Sequence, residues 1–210
     1  PVDPSVFAAL APHAPPTGVM SLASRPTADV AAVLADPRPA PVVLLEDPRN
    51  LANVGACVRV AAGADAAAVL TTGVHDPWSP DALRGAAGLH YALPVTRVEG
   101  APAPGAHGRP LLAIDPDGDP LDPAAVDPRA ILAFGTERAG TSSIDRAEGV
   151  VVVRPGRLGG EALRLRRSEV QVVGESLLEL VARERLGGGI AAATGGSEAD
   201  RGDGEPVEDD

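Results

Sequence analysis

Five short apolar runs punctuate the chain: VVLLE at 42–46, AAAVL at 66–70, LLAI at 111–114, AILAF at 130–134 and VVVV at 150–153. Each is too short for a buried helix, and each reads as a buried strand. A sixth segment, YALPVTRV at 91–98, reads as extended. Helical sequence lies between and after them. LANVGACVRVAAG at 51–63 is Ala-rich and stopped by Gly63, and residues 80–87 make a short helix. Residues 161–186 fit a long helix with Val170, Val173, Leu177 and Leu180 or Val181 in a stripe at 3–4 spacing. The stretches TTGVHDPWSP, DPDGDP and GTERAG read as turns. Strands alternating with helices predict an α/β fold with a mostly parallel sheet flanked by helices. In such sheets ligands sit at the carboxyl ends of the strands.

Composition narrows the possibilities further. Only 2% of the residues are aromatic, so the core is built from Ala, Val and Leu. The 210 residues suffice for one ordinary domain with appendages. All 18 basic residues are arginine, the bias of a GC-rich genome. Of the net charge of −11, residues 187–210 carry −6, leaving a mildly acidic body. That excludes a generally basic nucleic-acid coat and leaves room for a local basic patch. The single Cys57 excludes an intramolecular disulfide and a cysteine-built metal site. His13, His75, His90 and His107 lie far apart without metal-ligand spacing, so no metal is expected. No apolar run reaches the roughly 18–20 residues of a membrane helix. The first residues lack the pattern of a signal peptide, and a cytoplasmic protein is the simplest expectation. Residues 1–40, rich in proline, read as a linker or the remnant of another domain. Residues 41–186 read as the folded domain, and the Gly-rich acidic stretch 187–210 as disordered.

The sequence after the first strand, EDPRNLANVG, contains no G-x-G-x-x-G and no phosphate-loop lysine. The common nucleotide-binding readings fail there. Asn53, Val54 and Gly55 stand in their place, with Arg59 six positions beyond Asn53. Asn53 falls at a helix start, where free N–H groups and the helix dipole favour an anion. An N-cap followed by a surface arginine accounts for the same spacing. A second constellation, Gly135-Thr136-Glu137-Arg138-Ala139-Gly140, follows a buried strand. A glycine there lets the backbone approach a ligand closely, and the carboxylate beside it can orient a hydroxyl or an amine. A simple turn with a solvated glutamate fits equally. Trp78, in Asp76-Pro77-Trp78-Ser79-Pro80, suits a packing anchor as well as a stacking surface for a base.

Taken in order, these segments resemble one family. EDPRNLANVGACVRVAAGADAAAVLTTG, then DPWSPDALRGAAGLHYALPV, looks like the first half of a SpoU-type (TrmH-like) RNA ribose 2′-O-methyltransferase of the SPOUT superfamily. ILAFGTERAG looks like that family's second motif. The resemblance covers about residues 41–180, and HAPPTGVMSLASRP is similar to a junction with a small N-terminal RNA-binding domain. It implies a SPOUT-type parallel sheet with a C-terminal trefoil knot, a known exception to the rule against threaded chains. It also implies S-adenosylmethionine held in the knot, RNA (rRNA or tRNA) as partner, and a homodimer with active sites built across its interface. Asn53 would position the RNA backbone and Arg59 would sit at the nucleophilic hydroxyl. Glu137 would orient Arg59 or the substrate. The cofactor would lie against Gly135, Thr136, Arg154, Leu163 and Arg164.

The third motif departs from the family's pattern of I-P-M followed by S-L-N and a helix rich in small residues. Pro155, Gly159, Leu163, Leu165 and Ser168 are kept. Arg154 stands for the Ile, Gly156 for the Met, Ala162 for the Ser and Arg164 for the Asn, while Arg166 and Arg167 fall on small-residue positions. Arginines here could bind phosphate. They could also disturb a tightly packed knot, because unpaired arginine is seldom buried. Two functions follow as expectations: methyl transfer to a ribose 2′-hydroxyl, or a non-catalytic dimer that binds RNA or cofactor and keeps the fold.

Overall fold

The computed structural model describes residues 2–10, 15–121, 125–135, 144 and 149–154. The helix expected over 161–186, the knot and the acidic stretch 187–210 lie outside them. Helix α1 (Pro4–Leu10) buries no side chain. Helix α2 (Val30–Ala35) is capped by Asp29, whose carboxylate accepts from the Ala32 N–H at 3.1 Å. Then come β1 (Val42–Leu45), α3 (Leu51–Gly63), β2 (Ala68–Thr71), α4 (Pro80–Gly85) and β3 (Val95–Arg97). Strands β4 (Leu111–Pro120), β5 (Ile131–Phe134) and β6 (Val150–Arg154) complete the elements of the described residues.

The six strands form one sheet in the order β3-β2-β1-β5-β4-β6, with every pairing parallel. The uninterrupted apolar runs follow from this position, because β1, β2 and β5 are buried along their whole lengths. Alternate residues divide between the two faces. Val43, Leu45, Val69, Leu132 and Phe134 pack with Val54, Cys57, Val58 and Ala61 of α3. Val42, Leu44, Leu70, Ile131 and Ala133 lie on the other face with Leu34 of α2. The α/β architecture with a mostly parallel sheet is therefore present.

Residues 30–40, grouped with the upstream linker by their prolines, carry α2, and its Leu34 is 7% exposed. The segment expected to turn at DPDGDP instead continues β4. Its register against β6 shifts between Ile114 and Asp119. An irregularity of this kind absorbs residues that cannot join a regular ladder, here the prolines and the glycine. The extended reading of 91–98 also contracts. Leu89–Tyr91 is a 3-10 turn, and the strand begins only after Pro94.

Helices α3 and α4 touch backbone to backbone. A Cβ on Gly55 would meet the Ala82 carbonyl oxygen and would come within 2.7 Å of Ala86 N and Gly85 Cα. Gly85 is equally constrained by Ala52 O and by Gly55 Cα at 3.1 Å. Gly55 is thus a packing residue, though it adjoins the Asn53 motif. Gly55→Ala gains about 1 kcal/mol in helix propensity. Overpacking costs about 1–3 kcal/mol and sometimes more. Because the obstacles here are backbone atoms, the overpacking cost should win. Urea denaturation should show a net loss of about 1–2 kcal/mol; a variant as stable as the parent would mean that the helices can separate at no cost.

Candidate functional site at the carboxyl edge of the sheet

From β1 the chain moves outward through β2 to β3, then crosses to β4 and returns to β5 beside β1. The strand order therefore reverses between β1 and β5. In an open α/β sheet the crevice outside the carboxyl ends of two such strands is the natural ligand site. The two ends are tied together, since the Glu46 N–H donates to the Phe134 carbonyl at 2.8 Å. Gly135 follows Phe134 directly and is buried. With no Cβ, it offers bare backbone at the end of β5.

The loop from β1 into α3 is tightly held. Asp47 has φ +40°, and its N–H donates to Thr72 Oγ1 at 3.0 Å. Gly73 (φ +79°) lies so close to Asp47 that a Cβ would meet its carboxylate. Exposed Arg49 pairs with Asp47 at 3.3 Å. The Asn50 side chain accepts from the Asn53 N–H at 3.3 Å and so caps α3. The cap is therefore Asn50, and Asn53 stands half-buried in the first turn of the helix.

Arg59 lies on the exposed side of α3. It is about 12 Å along the axis from the first residue of that helix. It makes no hydrogen bond or ion pair with any described residue. A guanidinium carries five N–H donors in a fixed fork, and no described residue engages those of Arg59.

Gly135 thus directly follows β5, Asn53 lies in the first turn of the helix that follows the neighbouring β1, and Arg59 stands six residues further along that helix. The backbone of Arg154 ends β6, opposite Pro120 of β4. That places it two strands from β5, roughly 10 Å away. Thr136, Glu137, Leu163 and Arg164 lie outside the described residues. Sequence reasoning passed over two acids at this edge. Glu46 follows β1 and is half-buried. Asp115, just past the regular pairing of β4, is 8% exposed. Their signal was available, because each is the first charged residue after an apolar run. Among the described residues no group of His, Cys, Asp and Glu could hold a metal ion. No described helix is long and apolar enough to cross a membrane.

The sequence model of the SpoU rRNA Methylase family matches residues 40–154. No curated protein matches the chain. Among solved structures, the chain is similar to the SpoU methyltransferase AviRb from Streptomyces viridochromogenes in complex with AdoMet. The identity is 24%, the TM-score 0.58, and the match covers 77% of this chain and 63% of that one. It is also similar to a structure described as an RNA 2′-O ribose methyltransferase, at 27% identity and TM-score 0.54, over 72% of this chain and 59% of the other. A TrmH/SpoU tRNA modifying enzyme from A. aeolicus shares 19% identity at TM-score 0.54, over 76% and 82% of the two chains. The chain spans 63% and 59% of the length of the first two.

Proposed function

Because the chain belongs to the SpoU rRNA Methylase family, we propose that it transfers a methyl group from S-adenosylmethionine to a ribose 2′-hydroxyl of rRNA or tRNA. The observation that carries this reading is Arg59, an exposed cation with no partner among the described residues, on the helix whose first turn holds Asn53. Buried Gly135 fits the cofactor, since bare backbone at the strand end permits close approach. Gly135, Thr136, Arg154, Leu163 and Arg164 would hold it. When bound, the cofactor supplies an electrophilic methyl, which is the hard part of the chemistry.

The chain's own residues then align the hydroxyl and stabilise its charge. Asn53 positions the RNA backbone. A guanidinium is a poor base, so Arg59 acts by stabilising the developing alkoxide while the hydroxyl proton passes to water. Glu137 orients Arg59 or the substrate. The distance of Arg59 from the head of α3 suits a homodimer in which this helix serves a crevice completed by the partner, in the cytoplasm where such RNA resides. The stripe Val170, Val173, Leu177 and Leu180 would form part of that interface.

Transfer of tritium from labelled cofactor to RNA, followed by mapping of the modified nucleotide, tests the reading. Label in an alkali-resistant 2′-O-methyl nucleotide is the expected result. Unlabelled RNA from a protein that still binds cofactor or RNA would instead identify a non-catalytic dimer.

The third motif supplies a prediction of its own. Arg164 brings a positive charge to a cofactor that already carries a sulfonium. At an effective dielectric of 20, unit charges about 8 Å apart repel by roughly 2 kcal/mol. Cofactor affinity should therefore improve about tenfold in the Ala162→Ser, Arg164→Asn double variant, as measured by calorimetry. An unchanged affinity would mean that Arg164 does not face the cofactor.

A further inference from the structure

We propose that the cavity on the outer flank of β3 binds one unstacked nucleobase of the RNA strand, an inference that rests on the reading of RNA as substrate. The cavity measures about 230 Å³ and is lined by Pro26, Thr27, Trp78, Tyr91, Leu93 and Val95, among others. That volume takes a planar heterocycle. It cannot take a helix.

The chain has only four Phe, Trp and Tyr residues, and two of them line this space. Their rings meet edge to face, with centroids 5.3 Å apart. Trp78 is fixed in place: its Nε1–H donates to the Val95 carbonyl at 2.9 Å, and its ring packs against His90 at 4.9 Å. The His90 Nε2–H donates to the Pro77 carbonyl at 2.8 Å, and the His90 side chain is fully buried. Tyr91, by contrast, is 54% exposed. An immobile wall beside an accessible aromatic face is what a stacking platform for an unpaired base requires.

Polar groups at the cavity suit a nucleotide. The Arg25 guanidinium stands 5.4 Å from the Trp78 ring centroid and pairs with Asp76 at 2.9 Å, both side chains being about half exposed. It retains donors for a phosphate beside Pro26, which lines the cavity. The pairing of β3 with β2 runs through the Pro94 carbonyl and the Val98 N–H. It therefore turns the Val95 N–H away from β2, where it can meet an acceptor on a base edge. The body of the chain is acidic, so generic attraction of the phosphate backbone is weak. Stacking at one defined place would supply affinity that net charge does not.

Trp78 is the chain's single tryptophan, so its fluorescence reports this cavity directly. The full chain, with S-adenosylhomocysteine in excess to occupy an adenosine-binding site, would be titrated with a short single-stranded oligoribonucleotide. Its abasic counterpart and a proline-rich peptide would be run alongside. We expect saturable quenching by the oligoribonucleotide, with the abasic strand at least tenfold weaker. Tyr91→Ala should weaken the oligoribonucleotide about tenfold and Tyr91→Phe should restore it, with the affinity for S-adenosylhomocysteine unchanged in both.

Equal quenching by the abasic strand, no effect of Tyr91→Ala, or quenching by the peptide alone would overturn the proposal. The tritium assay separates the two inferences. Methylated RNA with no quenching refutes the base site alone, whereas base-dependent quenching without methylation refutes the catalytic reading alone.

Discussion

Replacing Arg59 by alanine is expected to slow methyl transfer by a factor of 10²–10³ in a single turnover, the loss typical of removing one donor to a developing oxyanion. That corresponds to roughly 3–4 kcal/mol of transition-state stabilisation. The prediction is clean because little else should change. Arg59 is exposed and touches no described partner, and alanine is the better helix former at a mid-helix site. Folding and cofactor affinity should therefore match the parent. Arg59→Lys keeps the charge but loses the planar fork of donors, so part of the rate should return. The assay is transfer of labelled methyl to RNA at saturating cofactor. A parent-like rate in Arg59→Ala would remove the arginine from the mechanism. An equal loss in both variants would point to the shape of the fork over its charge.

The spacing that singles out Arg59 was legible in the sequence, and so was much of the sheet. Helix α3 runs from Leu51 to Gly63 as its Ala-rich pattern predicts, because a strong local signal is bounded by a cap and a stop. The end of β1 in VVLL and that of β5 in ILAF are similarly plain. What escaped sequence reading depends on partners distant in the chain. DPDGDP has the composition of a turn, yet it joins β4 because β6 lies alongside and a register shift accommodates it. The cap of α3 falls on Asn50 and not on Asn53, three residues from where the motif directs attention. Two asparagines in one turn offer no sequence rule for choosing between them. Gly55 reads as part of a ligand motif, but its missing side chain admits α4. Least visible of all is Arg109, one arginine in a loop rich in proline and glycine.

Arg109 is fully buried, and its guanidinium donates to carbonyl oxygens drawn from three parts of the chain. Nε reaches Leu34 at 2.8 Å, and Nη1 reaches Ala40 at 2.8 Å and Arg129 at 2.7 Å. Nη2 reaches Asp36 at 2.9 Å and Val33 at 3.4 Å. Val33 and Leu34 belong to the last turn of α2, where carbonyls lack partners within the helix and the dipole is negative. One cation thus satisfies a helix end and ties the 36–40 segment and the loop before β5 to the start of β4. Burial pushes the Arg109 pKa below the usual arginine value, but the group begins so high that it remains charged.

Arg109→Met removes every one of these donors while keeping most of the apolar stem. An acceptor left unsatisfied in the interior costs about 1–3 kcal/mol. Some of these carbonyls would regain water as α2 lifts, so the summed loss should be about 3–5 kcal/mol, in the range for breaking a buried charged network. Arg109→Lys brings only three donors from a single point and should fall between. Urea denaturation midpoints measure both losses. Hydrogen exchange adds the location, since amides of residues 30–40 should lose protection before those of β1 and β5. A methionine variant within 1 kcal/mol of the parent, with α2 still protected, would show that the carbonyls have adequate partners elsewhere and that Arg109 is dispensable.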